Sequence, residues 1–176
     1  MPSGNTHDAI TFILAVPAAA ITYYACGFAA ATVFTAAFLF GGLMFGPDLD
    51  TVSKQNSRWR FFRFVWFPYR SFFRHRSRWT HGLVFGTLIR VVYFMGVATI
   101  LLFAASYCSA LLFNTEMPGT VDFAAAWTDA GRLVRLHAGN EMMILVFAGL
   151  WSGAASHTLA DMAATYIKTG RTGGFL

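Results

Sequence analysis

Charge is scarce in this chain. Of its 176 residues only 12% are charged, and just 8 are Asp or Glu, whereas about 25% charged residues is usual for a soluble domain. No Lys or Arg precedes Lys54. The N-terminus thus lacks the positive region of a signal peptide, and although Ala18-Ala19-Ala20 looks like a processing site, the segment is expected to stay attached. Cysteine is nearly missing too: Cys26 and Cys108 have no metal-ligand spacing, which excludes a disulfide scaffold and a thiolate cluster, and free buried thiols are expected over a bridge. What fills the chain instead is 56% hydrophobic and 17% aromatic residues, 19 of them Phe. Such a chain cannot cover a globule with polar atoms. A soluble enzyme, a disordered chain and a simple coiled coil are excluded, and lipid becomes the solvent for much of the molecule. The mean hydropathy of +0.53 agrees.

Apolar runs set the organisation. Ile10 to Phe45 holds no charge; as one helix it would be about 54 Å long, nearly twice the hydrocarbon core. A fold-back at Gly27, just after Tyr23 and Tyr24, gives a hairpin of residues 10–26 and 28–45. Gly41, Gly42 and Gly46 would let the second arm pack closely on its neighbours. A further helix is expected over 91–113, with Arg90 snorkelling to the headgroups, and a last one over 142–162. Between them, residues 114–140 form a polar outer connection that can carry a surface helix. The expected fold is all-α: a polytopic membrane helix bundle of about four transmembrane helices, one membrane domain over 1–176.

The net charge of +5 is unevenly placed. Eight of the 13 Lys and Arg fall between Lys54 and Arg78, a stretch without one acid. Short loops rich in Lys and Arg stay cytoplasmic, so the 47–82 loop and, by counting helices, both termini are expected on the cytoplasmic side of the inner membrane. Arg58-Trp59-Arg60-Phe61-Phe62-Arg63-Phe64 interleaves cations with rings. Binders of single-stranded nucleic acid do the same, but beside spanning helices an interfacial segment is the stronger reading, with rings at the acyl boundary and Arg on anionic headgroups. Membrane lipids, not nucleic acid, are the expected partners.

The few remaining polar residues cluster. Thr6-His7-Asp8 precedes the first helix, Pro47-Asp48-Leu49-Asp50 follows the second, His75 to His81 closes the basic loop, and Ser156-His157-Thr158-Leu159-Ala160-Asp161 ends the last helix. Together these hold four of the five His and four of the eight acids. His157 and Asp161, at i and i+4, share one helix face and can reach one ion. Asp48 and Asp50 in an extended Asp-x-Asp point to one side. Each cluster also has a local explanation: Asp48 suits a turn or cap, His157 a buried polar contact, Thr6 a helix N-cap. His137 is expected at the surface. The helix count nevertheless brings all four clusters to one membrane face, which favours a shared metal site.

The opening Met1-Pro2-Ser3-Gly4-Asn5-Thr6-His7-Asp8, the stretch Gly41-Gly42-Leu43-Met44-Phe45-Gly46-Pro47-Asp48-Leu49-Asp50, and Trp66-Phe67-Pro68-Tyr69-Arg70 with His75-Arg76-Ser77 and Thr80-His81-Gly82 resemble a bacterial family of metal-binding proteins of unknown function. The wider order, an early His, Pro-Asp-x-Asp, His-Arg-x-x-x-Thr-His and Ser-His-x-x-Ala-Asp, is similar to inner-membrane proteins described as metal-dependent hydrolases, some as LexA-binding. The resemblance implies that His7, Asp48, Asp50, His75, His81, His157 and Asp161 are the metal-site residues. Seven candidates exceed the four ligands of one tetrahedral zinc, so either two metals bind or several residues orient the imidazole rings. A His and carboxylate set suits zinc first, then manganese or iron. Arg74, Arg76 and Arg78 could hold a phosphate beside it. Two metals about 3.5–4 Å apart would suit hydrolysis of a phosphoester or lipid-like substrate at the cytoplasmic leaflet. The alternative is a non-enzymatic metal-binding membrane protein, a sensor or interaction module; a transporter would need ligands near the bilayer midplane.

Overall fold

The computed structural model describes residues 3–73, 77–83 and 85–170. Among the described residues there is no strand. The chain runs through α1 (Gly4–Leu43), a 3-10 turn (Pro47–Asp50), α2 (Lys54–Arg58), a 3-10 stretch (Arg60–Trp66), α3 (Phe67–Phe72), α4 (Arg78–His81), α5 (Phe85–Phe113) and α6 (Thr120–Thr169). Three stretches, Gly4–Asp50, Phe85–Phe113 and Thr120–Thr169, are long and apolar enough to cross a membrane. Their outer faces fit that solvent: Ile13, Val16, Ile21, Phe28, Ile100 and Leu112 are all exposed.

α1 is bent back on itself. A straight helix of 40 residues would separate its ends by about 60 Å, yet a side chain on Gly42 would run into Thr11. The break is Gly27, at φ 85° and ψ 178°, a conformation that residues with a Cβ rarely adopt. Nothing lies within 4 Å of where that Cβ would sit, so the backbone angle itself demands glycine. Gly139 interrupts α6 in the same way, at φ 73° and ψ 164°. Residues 120–138 are therefore a helix of their own, with Phe123 against Phe103 of α5. The N-cap of α1 is Ser3, whose hydroxyl accepts from Thr6 N–H at 3.3 Å; Thr6 lies inside the helix and does not cap it.

The returning arm of α1 packs on α6 through glycine. Gly149 and Gly153 of α6 lie against Phe34 and Phe38, and Gly41 lies against Leu150. A Cβ at Gly149 would come within 2.6 Å of the Phe34 carbonyl oxygen. Close backbone approach of this kind gives two helices extensive dispersion contact, the way helices associate where the surroundings are apolar. Gly42 faces Thr11, and Gly46 faces the Gln55 amide.

The basic segment is more than an interfacial strip. Phe45, Leu49, Val65, Trp66 and Tyr69 form a buried core, with Trp59, Phe73, Tyr93 and Phe94 packed against it. Edge-to-face ring pairs such as Phe45–Trp66 and Trp66–Tyr69 join it. Trp59 Nε1 donates to the Met44 carbonyl at 2.9 Å, and Tyr93 hydroxyl donates to the Val65 carbonyl. Half the rings thus face inward, clamping the segment onto α5, while Phe61, Phe62, Phe64, Phe67 and Phe72 face out.

Arg90 does not snorkel. It is 2% exposed, its guanidinium donating to the Thr80 carbonyl at 2.7 Å and Thr87 Oγ1 at 3.0 Å. Those acceptors offset the cost of burying a cation, which is high when it is unpaired. Cys26 and Cys108 are free thiols, as expected, but lie on exposed faces and not in the core.

Candidate metal centre

Four separate elements deliver the site. His7 comes from the first turns of α1, Asp48 and Asp50 from the 3-10 turn, His81 from the end of α4, and His157 with Asp161 from α6. Pro47 opens the 3-10 turn at its first position, where a missing N–H does no harm. The fold-back at Gly27 is what returns Asp48 to the level of His7, and the glycine seam sets α6 beside them.

The histidines and carboxylates converge. Asp161 Oδ1 is 3.2 Å from His7 Nε2, and its Oδ2 is 3.7 Å from His157 Nε2. Asp48 Oδ1 is 3.5 Å from His81 Nε2, and its Oδ2 is 3.3 Å from His157 Nε2. Two triads able to hold an ion result, His7 with His157 and Asp161, and Asp48 with His81 and Asp161. The edge of a tetrahedron with metal–ligand bonds of about 2.05 Å is about 3.3 Å, the scale of these separations. His7 and His157 stack with centroids 3.7 Å apart and planes 11° from parallel.

Burial sharpens the fit to a cation. Side-chain exposure is 6% at His7, 2% at His157 and Asp161, and 0% at His81, but 27% at Asp48. His157 Nε2 and Asp161 Oδ1 make no hydrogen bond among the described residues. Orphaned buried polar atoms are rare in folded proteins, and a cation between them would satisfy both the nitrogen and the oxygen. Among the described ligand candidates, Asp48 is the one that meets solvent.

A second layer orients the rings. Asp50, with its carboxylate fully buried, accepts from Thr80 Oγ1 at 2.9 Å and stands 3.4 Å from His81 Nδ1. It therefore sits behind the ring while Nε2 faces Asp48, the usual carboxylate–histidine arrangement at metals. Burial disfavours the protonated form of His81, but hydrogen bonds to Asp48 and Asp50 and their charge outweigh it and raise the imidazole above its ordinary value. Arg90 supports Thr80 from below. Behind His157 stands Gln55, its amide nitrogen 3.3 Å from Nδ1 and 2.8 Å from the Gly42 carbonyl.

Of the residues singled out from sequence, His7, Asp48, His81, His157 and Asp161 meet at one place, with Asp50 one layer behind. His75, Arg74 and Arg76 lie outside the described residues, as does the Arg78 side chain. Asp8, next to His7, turns the other way and forms a two-pronged pair with Arg58 at 2.9 and 2.6 Å, joined by Lys54. It ties the start of α1 to α2. His137 is exposed. Gln55 and Arg90 were not anticipated; a cation inside an apolar run was the available signal for Arg90.

The chain is similar to an uncharacterized protein of Aquifex aeolicus (strain VF5), 44% identical over 57 residues, a stretch covering 32% of this chain and 40% of that protein. No solved structure matches it. A family model described as uncharacterized metal-binding protein (DUF2227) matches residues 2–171, and the chain belongs to that family.

Proposed function

We infer that the protein is a membrane-embedded, metal-dependent hydrolase with two metal positions, acting on a phosphoester or lipid-like substrate at the cytoplasmic leaflet. One observation carries the reading: Asp48 presents its two oxygens to different histidines, Oδ1 to His81 and Oδ2 to His157. A carboxylate so placed can bridge two ions, with His7 and His157 on one side and His81 on the other. Two metals about 3.5–4 Å apart polarise a phosphoryl oxygen and lower the pKa of a bound water. Within the chain, Asp50 and Gln55 hold the rings, and partly exposed Asp48 marks the side from which substrate would enter. Hydrolytic metal sites keep such an opening, whereas structural ones are closed. The histidine and carboxylate set favours zinc, with manganese or iron as alternatives.

The cytoplasmic placement is supported by the basic segment, which forms the wall of the same end of the molecule and by its Lys and Arg content belongs inside. The four-span arrangement is supported by α1, whose halves of residues 4–26 and 28–43 lie side by side. The test is turnover by the detergent-purified protein of soluble phosphomonoesters and phosphodiesters and of short-chain phospholipids, with and without added zinc or manganese. Metal-dependent product release that His81→Ala abolishes is the expected result. A fully metal-loaded protein that releases nothing from any of these would leave binding alone, as in a sensor or interaction module.

A further inference from the structure

The basic segment contains a second polar site that the metal centre does not use. Arg63 of the 3-10 stretch and Arg70 of α3 line a surface cavity of about 400 Å3, together with Asn56 of α2. No acid lines it. Lys54 and Arg58, in the same segment, are both taken by Asp8; among the described residues no carboxylate takes Arg63 or Arg70. Arg70 Nε makes no hydrogen bond there, and its guanidinium stands 6.0 Å from the Phe67 ring centroid. Asn56 is 3% exposed, and its amide nitrogen also lacks a hydrogen bond. Arg70 Nε and Asn56 Nδ2 thus offer donors in want of an acceptor beside the exposed Arg63 guanidinium, and the missing partner is an oxyanion.

The surroundings say which oxyanion. Phe61, Phe64 and Phe67 share the wall of the cavity, and they are 79%, 48% and 63% exposed. Rings turned outward around a pair of arginines suit the boundary between acyl chains and headgroups, where aromatic bodies sit in the hydrocarbon and guanidinium groups meet phosphates. A soluble anion would gain nothing from those rings. We propose that Arg63, Arg70 and Asn56 form a binding site for the phosphate of an anionic membrane phospholipid, with Phe61, Phe64 and Phe67 against its acyl chains. The proposal rests on the membrane-face placement of the basic segment, and neither on bound metal nor on hydrolysis.

The experiment measures binding of short-chain phosphatidylglycerol to the full-length protein in neutral detergent, by lipid adducts in native mass spectrometry and by the lipid-induced rise in Tm. Short-chain phosphatidylcholine, glycerol phosphate and a single-stranded oligonucleotide are measured beside it. Phosphatidylglycerol is expected to bind tightest. Arg63→Gln with Arg70→Gln is expected to weaken it about 30-fold, the scale that two cations contribute at an anionic lipid surface. Arg63→Gln alone removes an exposed side chain and serves where the double variant folds poorly; it should weaken binding about fivefold. Metal content on the same samples separates the two sites: lipid affinity falls in these variants while their metal content equals that of the wild type. Lipid binding that both variants leave within about twofold, lipid binding no tighter than that of glycerol phosphate, or displacement of the lipid by the oligonucleotide would overturn the proposal.

Discussion

Asp161→Asn is the most informative single substitution in the metal centre. Asp161 belongs to both triads, and asparagine keeps its shape while removing the charge two cations would share. Structural zinc sites bind with about 10–16 kcal/mol over four ligands, or about 2.5–4 kcal/mol per ligand. Losing one ligand from each triad should weaken each position by about two to three orders of magnitude. His7→Asn removes a ligand from one triad only, so about half of the metal should stay. Asp50→Asn acts through His81 and should weaken affinity about 10–100-fold, as groups behind a ligand do. The assay is metal content by elemental analysis after equilibration with a graded chelator, on protein whose helicity is checked by circular dichroism. Asp161→Asn protein that folds and holds as much metal as the wild type throughout the chelator series would refute the assignment of Asp161 as the shared ligand.

Other perturbations probe the scaffold and the protonation state. Gly153→Ala places a methyl against the Phe38 carbonyl, one helical turn from His157; it should cost about 1–3 kcal/mol of overpacking, read as a lower Tm in detergent, together with weaker metal binding. Asp8→Asn breaks the clamp to Lys54 and Arg58 and should cost about 1 kcal/mol, but metal stoichiometry should be unchanged because Asp8 faces away from the site. Metal ligation requires a neutral imidazole, and Asp48 and Asp50 hold the His81 value above the ordinary histidine range. The proton therefore competes up to a higher pH, and metal affinity should rise as pH increases through that raised value, as measured by chelator competition across pH. Asp50→Asn should move this dependence to lower pH.

What sequence made legible was scarcity. In a chain with 8 acids, His7, Asp48, Asp50, His81, His157 and Asp161 stand out against apolar neighbours, and the 36-residue uncharged run from Ile10 to Phe45 has to fold back where glycine permits. The parts that were not legible depend on contacts between distant residues. Gln55 and His157 are 102 residues apart, and a glutamine in a polar segment carries no local sign of such a partner. Arg90 resembled a snorkelling cation because its Thr80 carbonyl acceptor becomes visible only once α4 is docked on α5, although Thr87 lies three residues before it on the same helix. The inward half of the basic segment was hidden for another reason. A 3-10 stretch passing into a short α-helix has no single period, so Trp66 and Tyr69 could not be told from outward rings such as Phe61 and Phe67 by spacing.

The central claim is that two cations lie between these side chains, and anomalous X-ray diffraction at the metal edge, on crystals of protein supplied with zinc or manganese, addresses it most directly. The expected result is two anomalous peaks about 3.5–4 Å apart, one between His7, His157 and Asp161 and the other between Asp48, His81 and Asp161. Metal bound elsewhere in the molecule, with no peak touching either triad, would contradict it.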